Sequence, residues 1–578
     1  MSQSPQQEQV SPTNNRKKVR AWWHEYVEFV SAERITDSGN IEEMIQCQVE
    51  NCKKNIPWLP HKNGASFTSH LSSCHKLFGP KTEMVSTNLT TDEKDIIFQA
   101  CSRMISTDGR PFCLFETKAA KDLFRIISEV TKTTISCPDN KSIKKHLKKD
   151  YETCLNNVTL LLRKQVGICL TSDMSTNQTR YFVITGHFIN EEWDLKAINV
   201  GTFCASDMCD SPHITAEDLV STTQNYLSDL EIDGKISFFV TDGEARELKF
   251  ARILGYPSNW CIDHIISLSV KESISDVDIV KTIRDVVSLF NYSDVGKEYL
   301  SRQQGDNPKK LLQDDGKKWF GCYTMLERAF ECRDAIKDAY IVWKSRSNDI
   351  ETRLPQPEDW SIVKEVIEIL KPLYQAHKHF EQSKFVTIST MIPILRRQIQ
   401  ILENYATNKR TLKKIIKTLV DGLKQRVNLP IEISVSSFLD PRTKKLNGYT
   451  ENEKNIIYDW VKSKIPDFLT QVEIQSEKTS LSYLLPSEET TKSEFESYFD
   501  EIQIGINDNP LVWWRVKESQ YPNISKLARK LLCIQSTTGY AESNFSNLTF
   551  IINDLRTSLK PKTVCQLLFL KSNSQLNI

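Results

Sequence analysis

Between Val166 and Cys261 the hydrophobic pattern changes period in a fixed order, and that order limits the folds open to this chain. Val166–Asp173, Tyr181–Ile189 and Trp193–Thr202 are rich in β-branched and aromatic residues and are parted by polar turns, so they predict an antiparallel meander. A helix is expected over residues 216–230. Ile236–Thr241 then reads as a buried strand ending at Asp242, a helix is expected from Glu244, and a short segment reaches Cys261. Three strands, helix, strand, helix, strand is the order of a mixed α/β sheet, not of a bundle or a sandwich.

The flanks follow a different rule. Residues 92–158 carry apolar positions at helical spacing, first Ile96, Ile97, Cys101, Met104 and Ile105, then Ala120, Leu123 and Ile126. Residues 265–530 are mostly helical in pattern, as at Trp360, Val363, Val366, Ile367, Ile369 and Leu370. Residues 536–573 read as helical again and end on Leu567, Leu568, Phe569 and Leu570, an apolar run able to pack across subunits. At 578 residues the chain exceeds what one core supports, so several packed domains are expected. The fold class is α/β plus α.

Hydrophobic residues make up 39% and charged residues 26%, with no apolar run long enough to span a bilayer. The formal net charge of +1 means that any nucleic-acid surface is local rather than global. Arg16–Arg20 is one basic stretch, readable as a nuclear import signal. The span from Arg396 to Arg426 is another, and solvated helix surface is its simpler reading. Residues 1–15 are polar, rich in Gln, Ser and Pro, and read as a disordered tail with no secretory segment, so the 15 cysteines are expected to be reduced.

In a reducing compartment, clustered Cys and His point to metal. Cys47 and Cys52, followed by His70 and His75, form two close pairs of soft donors suited to tetrahedral Zn²⁺, with Cys74 as the alternative to the last ligand. A module this short needs such a staple. Burial of four unrelated side chains in a small core is the competing reading.

Asp173 ends the first expected strand and Asp242 the fourth. Neighbouring strand ends bring carboxylates together, and their repulsion calls for a divalent cation such as Mg²⁺. Strand-ending aspartates are also common turn formers, so the pattern alone leaves both readings open.

Asp173, followed by Met174, Ser175 and Tyr181–Ile189, resembles the first catalytic block of hAT transposases, and Phe239–Ala245 resembles the second. Trp260–His264 is similar to the family's Cys-x-x-His element, Lys318–Leu326 to its Trp block, and Ser437–Arg442 to its Leu-Asp-Pro-Arg block. Asn509–Arg515, Tyr521, Pro522, Leu527, Ala528, Ser536–Ser546 and Leu555–Leu559 resemble the C-terminal region. These matches are collinear from Val166 to Asn573. With Trp22, Trp23, Tyr26, Phe29 and Trp58, the Cys/His pairs resemble a BED zinc finger.

The resemblance implies a ribonuclease-H-like mixed sheet core interrupted by a large all-helical insertion, with a small N-terminal zinc finger. Its implied domains are a tail (1–17), the finger (18–78), a helical DNA-binding or dimerisation region (79–160), a first core part (161–290), the insertion (291–530), and a last core part with the dimerisation region (531–578). It implies Asp173, Asp242 and Glu542 as catalytic carboxylates holding two Mg²⁺ or Mn²⁺ ions, and Zn²⁺ in the finger. Trp319, with a packed core indole as the competing reading, would stack on an extruded base, and Lys318, Arg556, Cys261 and His264 would lie against DNA. Double-stranded DNA, a homo-oligomer and a nuclear location complete the implied picture. Three positions depart from the pattern: Ser175 stands where the family has Trp, Ser543 where Arg follows the Glu, and Lys318 where Arg precedes the Trp. Ser cannot reproduce an Arg–phosphate fork. Those departures fit the alternative, a domesticated transposase acting as a non-enzymatic zinc-finger regulator.

Overall fold

The computed structural model describes residues 26–35, 41–57, 65–76, 87–175, 180–209, 211, 213–314, 316, 319–346, 351–427, 429–465, 492–552 and 559–576. The tail, the basic pentad, Trp22, Trp23, Trp58, Lys318 and Arg556 lie outside them. The chain divides into two compact units, residues 1–95 with 115–137, and residues 96–114 with 138–578.

The first unit holds strands β1 (Val27–Ile35), β2 (Ile41–Cys47) and β3 (Asn55–Pro57), antiparallel in that order, and the helix Ala65–Cys74. Ile45, Cys47, Ile56, Phe67 and Leu71 form its small core. The helix Lys118–Thr131 also belongs to this unit and starts at Thr117, whose side chain accepts the Ala120 N–H. The expected helix is there, but it buries none of its residues, and Leu123, Ile126, Ile127 and Val130 remain exposed. Periodicity fixes which residues share a face; it does not say what covers that face.

The second unit is built on a five-stranded sheet of β4 (Ile168–Met174), β5 (Tyr181–Ile189), β6 (Leu195–Cys204), β7 (Ile236–Thr241) and β8 (Ser258–Trp260). Its spatial order is β8-β7-β4-β5-β6, with β4, β5 and β6 antiparallel neighbours and β4, β7 and β8 parallel ones. Parallel neighbours need crossovers, supplied by the helices Ala216–Asp229 and Ala245–Leu254. These helices and Asn140–Arg163 cover one face, packing around Leu170, Phe182, Ile184 and Phe239. On the other face Cys169, Phe238 and Val240 open a continuous apolar core that runs through the helical body as far as Ile534. Both faces are covered, which is why β5 is buried along its whole length.

The helical body returns to the sheet at the β5–β6 turn. Trp193 stacks on Trp514 at 5.8 Å, donates its indole N–H to Glu518 at 2.8 Å, and lies under the Arg529 guanidinium. Asp440 and Arg442, from the Leu-Asp-Pro-Arg block, form a buried ion pair at 2.7 Å, with Ser389 donating to Asp440. That block is therefore a staple between helices and contributes no site. Part of the basic stretch is neutralised: Lys409 pairs with Glu365, Lys424 with Glu403, Arg426 with Glu272 and Arg396 with Glu453. Among the described residues no helix is long and apolar enough to cross a membrane.

The C-terminal run corrects one expectation. Leu567, Leu568 and Phe569 are 0%, 0% and 1% exposed, so they pack within their own subunit and cannot meet a partner. Their helix, Pro561–Asn573, lies along the edge strand β6, where the Asn573 amide accepts from Asn199 N–H at 3.0 Å and donates to Asn199 C=O at 2.9 Å. The side chain supplies the ladder bonds that an edge strand lacks, beside a bulge in the β5–β6 register.

Candidate active site and zinc centre

β4 and β7 run parallel with Thr171 opposite Val240, so two residues further on Asp173 and Asp242 fall in register at neighbouring strand ends. Gly243, at φ +88°, takes the left-handed turn out of β7, and a Cβ there would come within 3.2 Å of the Trp260 ring. Met174 N–H donates to Asp173 at 2.8 Å, and Glu244 N–H to Asp242 at 3.1 Å. Burial first, then the Asp242 and Glu542 carboxylates, push Asp173 up to about 8, while the Met174 N–H and His264 pull the other way.

Glu542 arrives from far along the chain on the first turn of the helix Gly539–Ile551, which packs on β4 and β5. Two anchors hold it. Upstream, Cys261 Sγ accepts Thr538 N–H at 3.4 Å, and Ile262 N–H donates to Ser536 C=O at 3.0 Å. Downstream, Asn544 accepts from Asn199 Nδ2 at 3.1 Å and from Ser572, which ties the helix to the edge strand. Glu542 is near enough to raise Asp173, but the tight group, with carboxylate oxygens within 4.8 Å of one another, is Asp173, Asp242 and Glu247.

Glu247 was not singled out by sequence reasoning. It lies on the first turn of Ala245–Leu254, is 0% exposed, and accepts Asp242 N–H at 3.4 Å through Oε2. Burial, then Asp242, holds it well above the usual carboxylate range. A signal existed: helical side chains lean toward the N-terminus, so a Glu at the third position of a helix entered from a strand-ending Asp points back at that Asp.

Cys261 is 0% exposed, so its task is the internal anchor above and not contact with DNA. His264 faces the carboxylates, and its Nδ1 has no hydrogen-bond partner among the described residues. Next to it, Asp263 Oδ1 lies 2.9 Å from His377 Nδ1, joining the helix Ile262–Ile274 to Pro357–Phe380. Trp319 sits behind that pair, edge-on to His377 and Tyr374 and 3% exposed. Neither ring face is open to a base in this arrangement, which is the packed-core alternative; stacking would require the indole to be uncovered.

The buried Trp319 Nε1 has no partner among the described residues, which sets up a test. Trp319→Ala should cost about 3–5 kcal/mol of stability by opening a cavity. Trp319→Phe should cost far less, because it also removes an unsatisfied donor. Urea denaturation of both variants checks this, and equal, small losses would show that the indole is not a core element.

In the first unit the four sulfur and nitrogen donors converge: Cys47 Sγ is 3.6 Å from His75 Nε2, Cys52 Sγ 3.4 Å from His70 Nε2, and the two Nε2 atoms are 3.2 Å apart. Tetrahedral bonds of about 2.3 Å to sulfur and 2.0–2.1 Å to nitrogen place S and N about 3.6 Å apart and two N about 3.3 Å apart. The set fits zinc. Cys74 is exposed and outside it, so His75 is the fourth member.

Two regions match known families: residues 494–574 match the hAT family C-terminal dimerisation region, and residues 260–369 the ZBED1 RNase-like helical domain. These matches make the chain similar to hAT-family proteins that carry a BED-type finger. Its curated relatives include the human zinc finger BED domain-containing protein 4, at 23% identity over 55% of this chain and 29% of that protein. The putative AC transposase of Zea mays is 22% identical over 68% of this chain and 55% of its own. The putative transcriptional regulator tpeD of Talaromyces stipitatus is 21% identical over 82% and 61%. The chain thus spans less than two-thirds of the length of each of these relatives.

Proposed function

We propose that this protein is a metal-dependent DNA transposase that cleaves at element ends, forms hairpins on flanking DNA and transfers strands into target DNA. The observation that carries the reading is the register match of Asp173 and Asp242 on parallel strands, with Glu542 brought beside them. The sheet order β8-β7-β4-β5-β6 with its mixed directions supports a ribonuclease-H-like core made of residues 161–290 and 531–578 and interrupted by the helical residues 291–530. In the same reading residues 18–78 are the finger and 79–160 a helical DNA-binding or dimerisation region.

Asp173, Asp242 and Glu542 would hold two Mg²⁺ or Mn²⁺ ions, which when bound stabilise the attacking and leaving oxygens of phosphoryl transfer. The chain's own contribution is placement. Two strands fix the aspartates, the Thr538 and Asn544 anchors fix Glu542, and burial keeps bulk water from screening the group. The finger would grip double-stranded DNA through phosphate contacts, which fits a nuclear location.

Self-association is part of this reading and rests on the match to a dimerisation region. With Leu567–Phe569 internal, the surface available there includes Val512 and Val516, 47% and 71% exposed and one turn apart on the helix Pro510–Lys517. Val516→Glu should shift the chain toward monomer by about tenfold or more in dissociation constant. Sedimentation equilibrium reads this, and an unchanged constant would move the interface elsewhere.

A second reading is favoured by Ser175 and Ser543. The Ser175 hydroxyl accepts Tyr181 N–H at 2.9 Å, closing the β4–β5 hairpin, and Ser543 is exposed, so neither offers the aromatic face or guanidinium of the family pattern. On that reading the chain is a DNA-binding regulator. Purified, zinc-loaded protein incubated with Mg²⁺ or Mn²⁺ and the inverted repeats flanking its own coding sequence separates the two. Nicks and hairpins are expected; saturable binding without metal-dependent cleavage would establish the regulator.

A further inference from the structure

The proposed chemistry gives Glu247 no task, yet its position is costly. A carboxylate with 0% exposure needs a partner for its charge, and among the described residues no basic side chain is paired with it. Oε2 accepts one backbone N–H at a long 3.4 Å, and Oε1 has no hydrogen-bond partner among the described residues. Both neighbours in the 4.8 Å group are carboxylates, Asp173 and Asp242. A proton shared with the Asp242 carboxyl would join Glu247 to one neighbour, whereas a cation among the three carboxylates would engage all of them.

We infer that Glu247 is a further ligand of the divalent cation at Asp173 and Asp242, an inference that rests on the metal-dependent reading above. The consequence is a division of labour. Mg²⁺ and Mn²⁺ take oxygen ligands, and a site with only one or two carboxylates normally waits for substrate phosphates to complete it. Three carboxylates from two adjacent strand ends and the helix that follows one of them make a site that is charged for a metal before DNA arrives. Glu542, outside the tight group and carried on a separate helix, would then serve the second ion once phosphate oxygens are present.

The competing role for Glu247 is a neutral acid that caps Asp242 N–H and shapes the turn. Glu247→Gln separates the two, because the amide oxygen can still accept that N–H while the charge is gone. The measurement is Mn²⁺ binding to the DNA-free, zinc-loaded full chain, followed by the spin-resonance signal of free Mn²⁺ and by the metal-induced rise in Tm. Wild type should bind, and Asp173→Asn should lose the site. Glu247→Gln should weaken Mn²⁺ on the order of ten- to a hundredfold with an equal or higher Tm without Mn²⁺. Glu247→Asp, which keeps the charge but withdraws the oxygens by one methylene, should fall between and guards against misfolding of the Gln variant. Wild-type affinity in Glu247→Gln, with binding lost in Asp173→Asn, overturns the Glu247 assignment and leaves the metal-dependent reading standing. No Asp173-dependent Mn²⁺ binding in wild type overturns both.

Discussion

If the chain is the transposase proposed above, Asp173→Asn, Asp242→Asn and Glu542→Gln should each lower the DNA cleavage rate on the order of 10³-fold or more, since charge stabilisation by the ions they would hold is worth several kcal/mol of barrier. On the same reading DNA affinity should stay within about twofold, because the proposed phosphate contacts lie elsewhere and are set by salt. Each change keeps side-chain shape and removes one negative charge. For Asp173 the metal-free fold should not suffer: its carboxyl is raised by burial and by its acidic neighbours, so a neutral amide relieves repulsion. Melting temperature in chelator should therefore hold or rise. A gel cleavage assay beside a binding titration at fixed salt reads both quantities. Undiminished cleavage by any one variant removes that residue from the site.

Much of the core was legible because strands and helices differ in period. The meander, the crossover helices and the strand ending at Asp242 all follow from alternation and apolar runs, and the structure has them within a few residues. Register is another matter. That Thr171 faces Val240, and hence Asp173 faces Asp242, depends on a bulge at Ile168 and Cys169 that no local pattern announces. Glu247 was passed over because a Glu on the first turn of an ordinary helix is usually a solvated residue favoured by the helix dipole. Leu567–Phe569 misled for the opposite reason. An apolar run that closes a chain looks like an interface, whereas here it covers the edge strand of its own sheet. Trp319 sits on a pattern compatible with both stacking and packing, and in the DNA-free chain its indole is packed.

The fourth zinc donor shows the same limit and leads to the largest expected stability effect. On an unbroken helix Cys74 would share a face with His70, four residues apart, and His75 would not. The helix ends at Cys74, yet His75 N–H still donates to Leu71 C=O at 3.1 Å, and from this last turn its Nε2 lies 3.2 Å from His70 Nε2 and 3.6 Å from Cys47 Sγ. Among the described residues five are buried in the core that the three strands and helix share, and zinc binding supplies an apparent 10–16 kcal/mol or so in modules of this kind. Chelation of the full chain should therefore abolish amide hydrogen-exchange protection across residues 41–57 and 65–76 and leave the sheet unit protected. Cys47→Ser and His75→Ala should do the same in excess zinc, whereas Cys74→Ser should be silent. Acidification should release the metal, since the ligands bind as thiolate and neutral imidazole and protons compete for both. Zinc content and exchange protection, measured on each variant, check the assignment. Retained protection in chelator would mean that the four side chains are only a packed core, and loss of zinc in Cys74→Ser would return the fourth position to Cys74.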